Sequence, residues 1–338
     1  MTNRKLSAAV LATLLSTALL TACGSGGSAA DAKGAGSQPA AGQAAGGDSA
    51  AAFPRGVKHA LGTAEIKSQP KRVVVLDSGE LDDVTLLGIT PVGAVAPHLK
   101  TEGGFPAYLA GKVDGTKDVG PMNEPNLELI ASLKPDLILT SKVRHEKVYD
   151  KLNAIAPTVM AETTGEPWKA NLKLYAQALG KETEAAKALA DYEARAAKLG
   201  AEIKAKYNGT APTVSVVRFV AGPTRLYQNA SFSGVVLKDV GLARAVKAPD
   251  VDKSMLDVSP EQINQADADL VFVTTSDDPS KTKQAEVQQT AVWQGLNAVK
   301  NGKVFTVPDE TWMSGIGVQA ADRMLGDIAK AAGVDAPK

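Results

Sequence analysis

A single cysteine, Cys23, occurs among the 338 residues, so the chain can form no internal disulfide, and a metal site built on paired cysteines is excluded. Histidine is nearly as scarce, and His59, His98 and His145 are too scattered to suggest a three-histidine metal site. An excess of either charge is also missing: Lys plus Arg and Asp plus Glu both total 37. No basic block stands out, which argues against nucleic acid as a partner. The motifs of common hydrolases and nucleotide-binding enzymes are absent as well. There is no P-loop, no H-E-x-x-H and no G-x-S-x-G elbow, since Ser314 sits in Met-Ser-Gly-Ile-Gly. The acidic run Asp77-Ser78-Gly79-Glu80-Leu81-Asp82-Asp83 raises the thought of calcium, but it lacks the alternating oxygen ligands and terminal glutamate of an EF-hand loop. Helix-start chemistry explains it better, with Ser78 as N-cap and acids in the first turn.

At the N-terminus Arg4 and Lys5 precede the apolar run LSAAVLATLLSTALL, too short and wrongly flanked for a membrane span. It ends in Leu20-Thr21-Ala22-Cys23, which resembles the bacterial lipobox. That resemblance makes residues 1–22 a signal peptide and Cys23 the lipidated first residue of the mature, membrane-tethered protein. Residues 23–56 are dominated by Gly, Ala and Ser and read as a flexible leash. Cleavage before Cys23 leaves 35 basic against 37 acidic residues, so the mature chain stays near neutral.

Beyond the leash, strands alternate with helices. KRVVVLD, PVGAVAP and DLILTS read as strands buried on both faces, and LDDVTLLG and RHEKVYDKLNAIAP as helices. From Lys181 to Lys206, Leu189, Tyr192, Ala196, Leu199 and Ile203 recur at intervals of three and four, the mark of one long amphipathic helix. TVSVVRFV opens a second half, followed by the helix SFSGVVLKDVG, a helix from Lys281 to Leu296, the strand KVFTV and a last helix from Val318. The expected fold is α/β: two lobes with mostly parallel central sheets, residues 57–166 and 209–338, joined by connecting helices over 167–208.

The two halves share an echo. PNLELIASLKPDLILT (125–140) and SPEQINQADADLVFVTT (259–275) each read as a small helix running into a strand. Glu128 and Glu261 stand in the two first turns, and Asp136 and Asp269 follow each glutamate by eight residues.

With KRVVVLDSGELDDVTLLGITPVGAV, PNLELIASLKPDLIL, the long helix after NLKLYAQALGK, SPEQINQADADLVFV and WQGLNAVKNGKVFTVP in this order, the chain resembles the substrate-binding lipoproteins of bacterial ABC importers for ferric siderophores and cobalamin. The resemblance implies a rigid bilobal fold, a ligand in a shallow cleft between the lobes, and no enzymatic activity. It also implies a monomer that holds iron only as the ferric siderophore, without a resident cofactor, and that docks on a permease dimer through Glu128 and Glu261, one lobe per subunit.

Ligand residues are expected in loops at the carboxyl ends of the strands. Arg144 follows one strand by a few residues. Arg218 interrupts an apolar strand, where a charge must be paired, near solvent or facing a ligand. Trp312 lies in a loop of small residues, and Tyr227 is a candidate on similar grounds, whereas Trp168 and Trp293 read as packing. These residue types suit a ferric hydroxamate such as a ferrioxamine. In relatives that bind catecholates the turn before the lobe-two helix often holds an arginine; here it is Ser231-Phe232-Ser233. Cobalamin or haem is the alternative ligand within this class. An extracellular lipid-anchored enzyme and a surface adhesion module are the alternatives outside it.

Overall fold

The computed structural model describes residues 52–96, 104–244, 253–276 and 278–337. The expected signal peptide, Cys23, the leash up to residue 51 and His98 lie outside them.

A hairpin opens the described chain, β1 (Arg55–His59) antiparallel to β2 (Gly62–Ile66). These strands are hard to recognise in the sequence, because only alternate residues of the short segments are buried. The first lobe then lays down β3 (Val73–Val75), α1 (Ser78–Leu86), β4 (Gly93–Ala96), β5 (Lys117–Pro121), α2 (Leu127–Ser132), β6 (Leu137–Ser141), the short helices α3 (Lys142–His145) and α4 (Tyr149–Ile155), and β7 (Thr158–Ala161). Its five strands stand in the order β5-β4-β3-β6-β7, all parallel.

Two helices follow, α5 (Trp168–Leu179) and α6 (Glu182–Lys206). Gly180 separates them in the left-handed region (φ 66°, ψ 40°), where glycine stops a helix without strain. Twenty-five residues at a rise of about 1.5 Å give α6 a length of about 37 Å. Its buried stripe contains Leu189, Tyr192, Ala196, Leu199 and Ile203, the residues whose spacing predicted it.

The second lobe comprises β8 (Val214–Phe219), β9 (Thr224–Tyr227), α7 (Phe232–Asp239), β10 (Met255–Val258), β11 (Leu270–Thr275), the helices α8 (Gln284–Gln289), α9 (Ala291–Gln294) and α10 (Asn297–Lys300), β12 (Val304–Thr306) and α11 (Val318–Ala332). Its order is β10-β9-β8-β11-β12. Here β8, β11 and β12 are parallel, β9 is antiparallel to β8, and β10, antiparallel to β9, runs in the direction of β8 again, so this sheet is mixed. The expected helix over 281–296 is broken instead: Thr290 is extended, and its side chain accepts from the Trp293 N–H to start α9 afresh.

Side-chain alternation divides the interior into three. Val73, Val75, Leu137 and Leu139 from the first sheet meet Val214, Val216, Leu270 and Phe272 from the second in one continuous core, completed by α5, α6 and α11. The opposite faces close separate clusters, Val74, Leu76 and Ile138 in one lobe and Val217, Phe219, Val271 and Val273 in the other. The lobes are therefore joined by a shared core as well as by the long helix. A buried polar contact adds to it. Asp82 of α1 accepts from the backbone N–H of Gln319 and Ala320, at 3.1 and 3.0 Å, and so caps α11 across the lobe boundary.

The aspartates of the echo do the same work twice. Asp136 accepts from the N–H of Lys71 and Arg72, both at 2.9 Å, just before β3. Asp269 accepts from the N–H and the hydroxyl of Thr213, both at 2.7 Å, just before β8. Each pins the start of its lobe's central strand to the neighbouring one.

Candidate functional site

The carboxyl ends of β3, β6, β8 and β12 carry a hydrogen-bonded chain that crosses from lobe to lobe. Asp77, buried directly after β3, is the N-cap of α1: its backbone is extended (φ −148°, ψ 164°) and Oδ1 accepts from the Ser78 N–H at 2.7 Å. The cap is thus one residue earlier than the sequence suggested. The other oxygen of Asp77 accepts from Arg144 Nε at 2.8 Å. Ser78 donates its hydroxyl to the Ser314 carbonyl across the lobe boundary. Ser314 in turn donates its hydroxyl to Asp309 at 3.2 Å. Asp309, buried after β12, receives a forked pair of bonds from Arg218 Nε and Nη2, both at 2.7 Å, and a third from the Thr274 hydroxyl at 3.1 Å. Arg218 Nη1 donates to the Tyr227 hydroxyl at 2.9 Å. Three of the four expected ligand residues, Arg144, Arg218 and Tyr227, therefore belong to one network.

The local sequence explains how each arginine is presented. Arg218 shares the parity of Val214 and Val216, so it continues the inward stripe of β8 to the point where the apolar core ends. A charge there requires a partner, and Asp309 supplies it. Burial opposes the guanidinium's charge, but the charge of Asp309 and its hydrogen bonds outweigh that and hold the pKa above its ordinary value. Arg144 sits on α3, which His145 anchors. His145 Nε2 lies 2.7 Å from the Met122 carbonyl and must donate to it, so Nδ1 accepts from the Thr140 hydroxyl at 2.6 Å. Arg144 has 31% of its side chain exposed, and its two terminal nitrogens have no partner among the described residues. Beside it Val143 is 60% exposed, unusual for a large aliphatic residue, and gives the rim an apolar contact.

Trp312, expected at the cleft, is instead a core residue. It is fully buried, its indole N–H donates to Asp327 at 2.8 Å, and its ring lies 4.5 Å from Phe272. Residues 310–314 form a single π-helical turn, which rotates the tryptophan into the shared core while leaving Ser314 at the surface of the site. Trp168 and Trp293 are buried, as expected.

The acidic run after β3 is also accounted for. Asp77 serves Arg144, Asp82 caps α11, and Glu80 and Asp83 are buried with their pKa values raised by desolvation first. The sequence offered a signal for Asp77 and Asp309, in that one ends a predicted strand and the other closely follows one. Nothing in it paired them with arginines 67 and 91 residues away.

Glu128 and Glu261 are both exposed, and neither joins an ion pair among the described residues. Asn126 caps the helix of Glu128, accepting from the Leu129 N–H at 2.9 Å. Glu261 stands in a 3₁₀ turn (Pro260–Ala266) opened by a capping box of Ser259 and Gln262, and the Ser259 hydroxyl holds its carboxyl below the usual range. Each lobe thus presents one acid after a strand ending at the same edge as the arginines.

This architecture has counterparts. The chain is 42% identical over 287 residues to the probable siderophore-binding lipoprotein YfiY of Bacillus subtilis, covering 81% of this chain and 86% of that one. It is 34% identical over 272 residues to the Fe(3+)-citrate-binding protein YfmC of the same organism, covering 80% and 83%. The crystal structure of Staphylococcus aureus SirA complexed with staphyloferrin B superposes with a TM-score of 0.76 at 38% identity, covering 83% of this chain and 99% of SirA. Residues 73–311 match the periplasmic binding protein family throughout. The bilobal fold, the paired strand-end arginines and these likenesses together make the chain a member of the periplasmic binding protein family.

Proposed function

We propose that the chain captures a ferric siderophore outside the cytoplasm and delivers it to an ABC permease for iron uptake, and that the ligand is an anionic complex with carboxylate donors. The observation that carries this is the pair of guanidiniums, Arg144 and Arg218, held by buried aspartates at strand ends joined across the lobe boundary. Among the described residues Arg144 keeps both terminal nitrogens free of protein partners, and Arg218 uses three of its five N–H groups, leaving two for ligand oxygens. Forked N–H donors match carboxylate geometry. The name of YfiY supports a siderophore as cargo, and that of YfmC, an Fe(3+)-citrate-binding protein, supports carboxylate donors. A hydroxamate is the second reading: Tyr227 and the exposed Val143 suit neutral oxygens and an aliphatic backbone, though Trp312 no longer supports it. Cys23 is the proposed lipid tether, and Glu128 and Glu261 are the proposed contacts with the permease, one from each lobe.

Titration of the purified protein with ferric citrate and with ferrioxamine tests the ligand class. Ferric citrate is expected to bind, and Arg144→Ala and Arg218→Ala each to weaken it by about 1.5–3 kcal/mol, the scale of a hydrogen bond to a charged group. Tight ferrioxamine binding that survives both substitutions would reverse the assignment.

A further inference from the structure

Beneath Arg144 lies a carboxyl that the capture of ligand does not obviously need. Glu80 of α1 is 2% exposed, and its Oε1 is 2.5 Å from the hydroxyl oxygen of Tyr175, itself 1% exposed. The same phenolic oxygen is 2.8 Å from the Thr140 carbonyl. A phenol carries one proton, and a carbonyl can only accept. If Tyr175 donates to Thr140, the shorter contact to Glu80 needs a proton from the carboxyl. The surrounding charges agree. Asp77 and Asp83 face Glu80 from its own helix, Tyr175 from α5, and among the described residues Arg144 of α3 is the only cation, already paired with Asp77. We propose that Glu80 is held as a neutral carboxylic acid that donates to Tyr175, leaving Asp77 as the single counter-charge of Arg144 so that the site can accept an anionic ferric complex.

Glu80 is then a positioning and charge-setting residue; it need not touch the ligand. Burial, and after it the charge of Asp77, push its pKa up to about 8, against the opposing pull of Tyr175 and Arg144. As pH rises through that value a second negative charge forms under the guanidinium, and an anionic ligand is held less well. By linkage, binding of an anion favours the protonated acid. Glutamine mimics the neutral acid, since its amide N–H can donate to the same phenolic oxygen.

The affinity part of this inference rests on the anionic-ligand reading above, whereas the proton itself can be detected without ligand. Infrared spectra of the ligand-free protein at pH 7 should contain the carbonyl band of a protonated carboxyl that is missing in Glu80→Gln. In Tyr175→Phe the band should persist at a shifted frequency, because the acid has lost its acceptor. Ferric citrate should then be titrated from pH 6 to 9.5 against wild type and Glu80→Gln. The ratio of the two affinities should change by about tenfold, within the usual range of coupling between sites, with the wild type losing more at high pH. Taking the ratio removes the pH dependence of ferric citrate itself. A wild-type spectrum identical to that of Glu80→Gln, or parallel pH profiles for the two proteins, would overturn the proposal. If ferric citrate fails to bind but the band is present, the ligand reading falls and the neutral acid stands.

Discussion

The Arg218–Asp309 pair is the most demanding element of the site, because Asp309 retains 2% of its side-chain exposure and Arg218 14%. Replacing Arg218 with Met keeps most of the aliphatic volume and removes the charge. Asp309 is then left with the hydroxyls of Thr274 and Ser314 as donors. Breaking a buried pair from one side costs about 3–5 kcal/mol. The remaining hydroxyls and the partial access of water put this case near the lower end, about 3 kcal/mol. Asp309→Asn keeps one acceptor oxygen and should cost about 2–3 kcal/mol by the same reasoning. The double variant removes both charges, so it should be less destabilised than the two singles combined, with a coupling of about 2 kcal/mol. Urea unfolding of the four proteins measures this, and each single change should lower the midpoint by about 1 M. Additive losses, within about 0.5 kcal/mol, would refute the claim that the two side chains act as one unit.

Gly200→Ala should destabilise by about 1–3 kcal/mol, because the new Cβ would sit 2.1 Å from the Val240 carbonyl oxygen, whereas Gly326→Ala in α11 meets nothing within 4 Å and should stabilise by about 0.5–1 kcal/mol; calorimetry on the two should give shifts of opposite sign. Trp312→Phe should lower stability through loss of the Asp327 bond and leave the affinity for ferric citrate unchanged, and a selective loss of affinity would return Trp312 to the cleft. The carboxyls of Glu80 and Asp82 have folded-state pKa values of about 8 and about 6, above their ordinary 4.5 and 3.8, so the native state binds more protons than the unfolded one. Their contribution to stability therefore falls as pH rises from about 4 to about 8, and unfolding midpoints across that window should decline toward the alkaline end. In cells, Glu128→Ala with Glu261→Ala should impair uptake of the labelled ferric complex more than either alone without altering affinity, and normal uptake by the folded double variant would reduce both to helix-start residues.

Much of the fold was legible because period and burial coincide. The stripe of α6 recurs at three and four, and the apolar runs of β3, β6 and β8 are buried on both faces. The antiparallel β9 and its neighbour β10 escape detection, since four-residue strands carry too little pattern to be recognised. Arg218 stood out because a charge in an apolar strand has few physical explanations. Trp312 misled because the glycines that follow it, Gly315 and Gly317, suggest a loop at a rim, while a π-helical turn is invisible to a search for periods of two or 3.6. The counter-ions Asp77 and Asp309 could be suspected only as residues after strands, since their partners are set by how distant strand ends meet.

The shared core limits how far the two lobes can part. Swinging the lobes apart would strip Val75, Leu139, Val216 and Phe272 from α5, α6 and α11, exposing much of the apolar surface that complete unfolding exposes. With ligand at the proposed strand-end site, exchange runs through the rim, without a hinge that closes over it. Encounter with the rim then sets the association rate, and related iron complexes are told apart mainly by how long each stays.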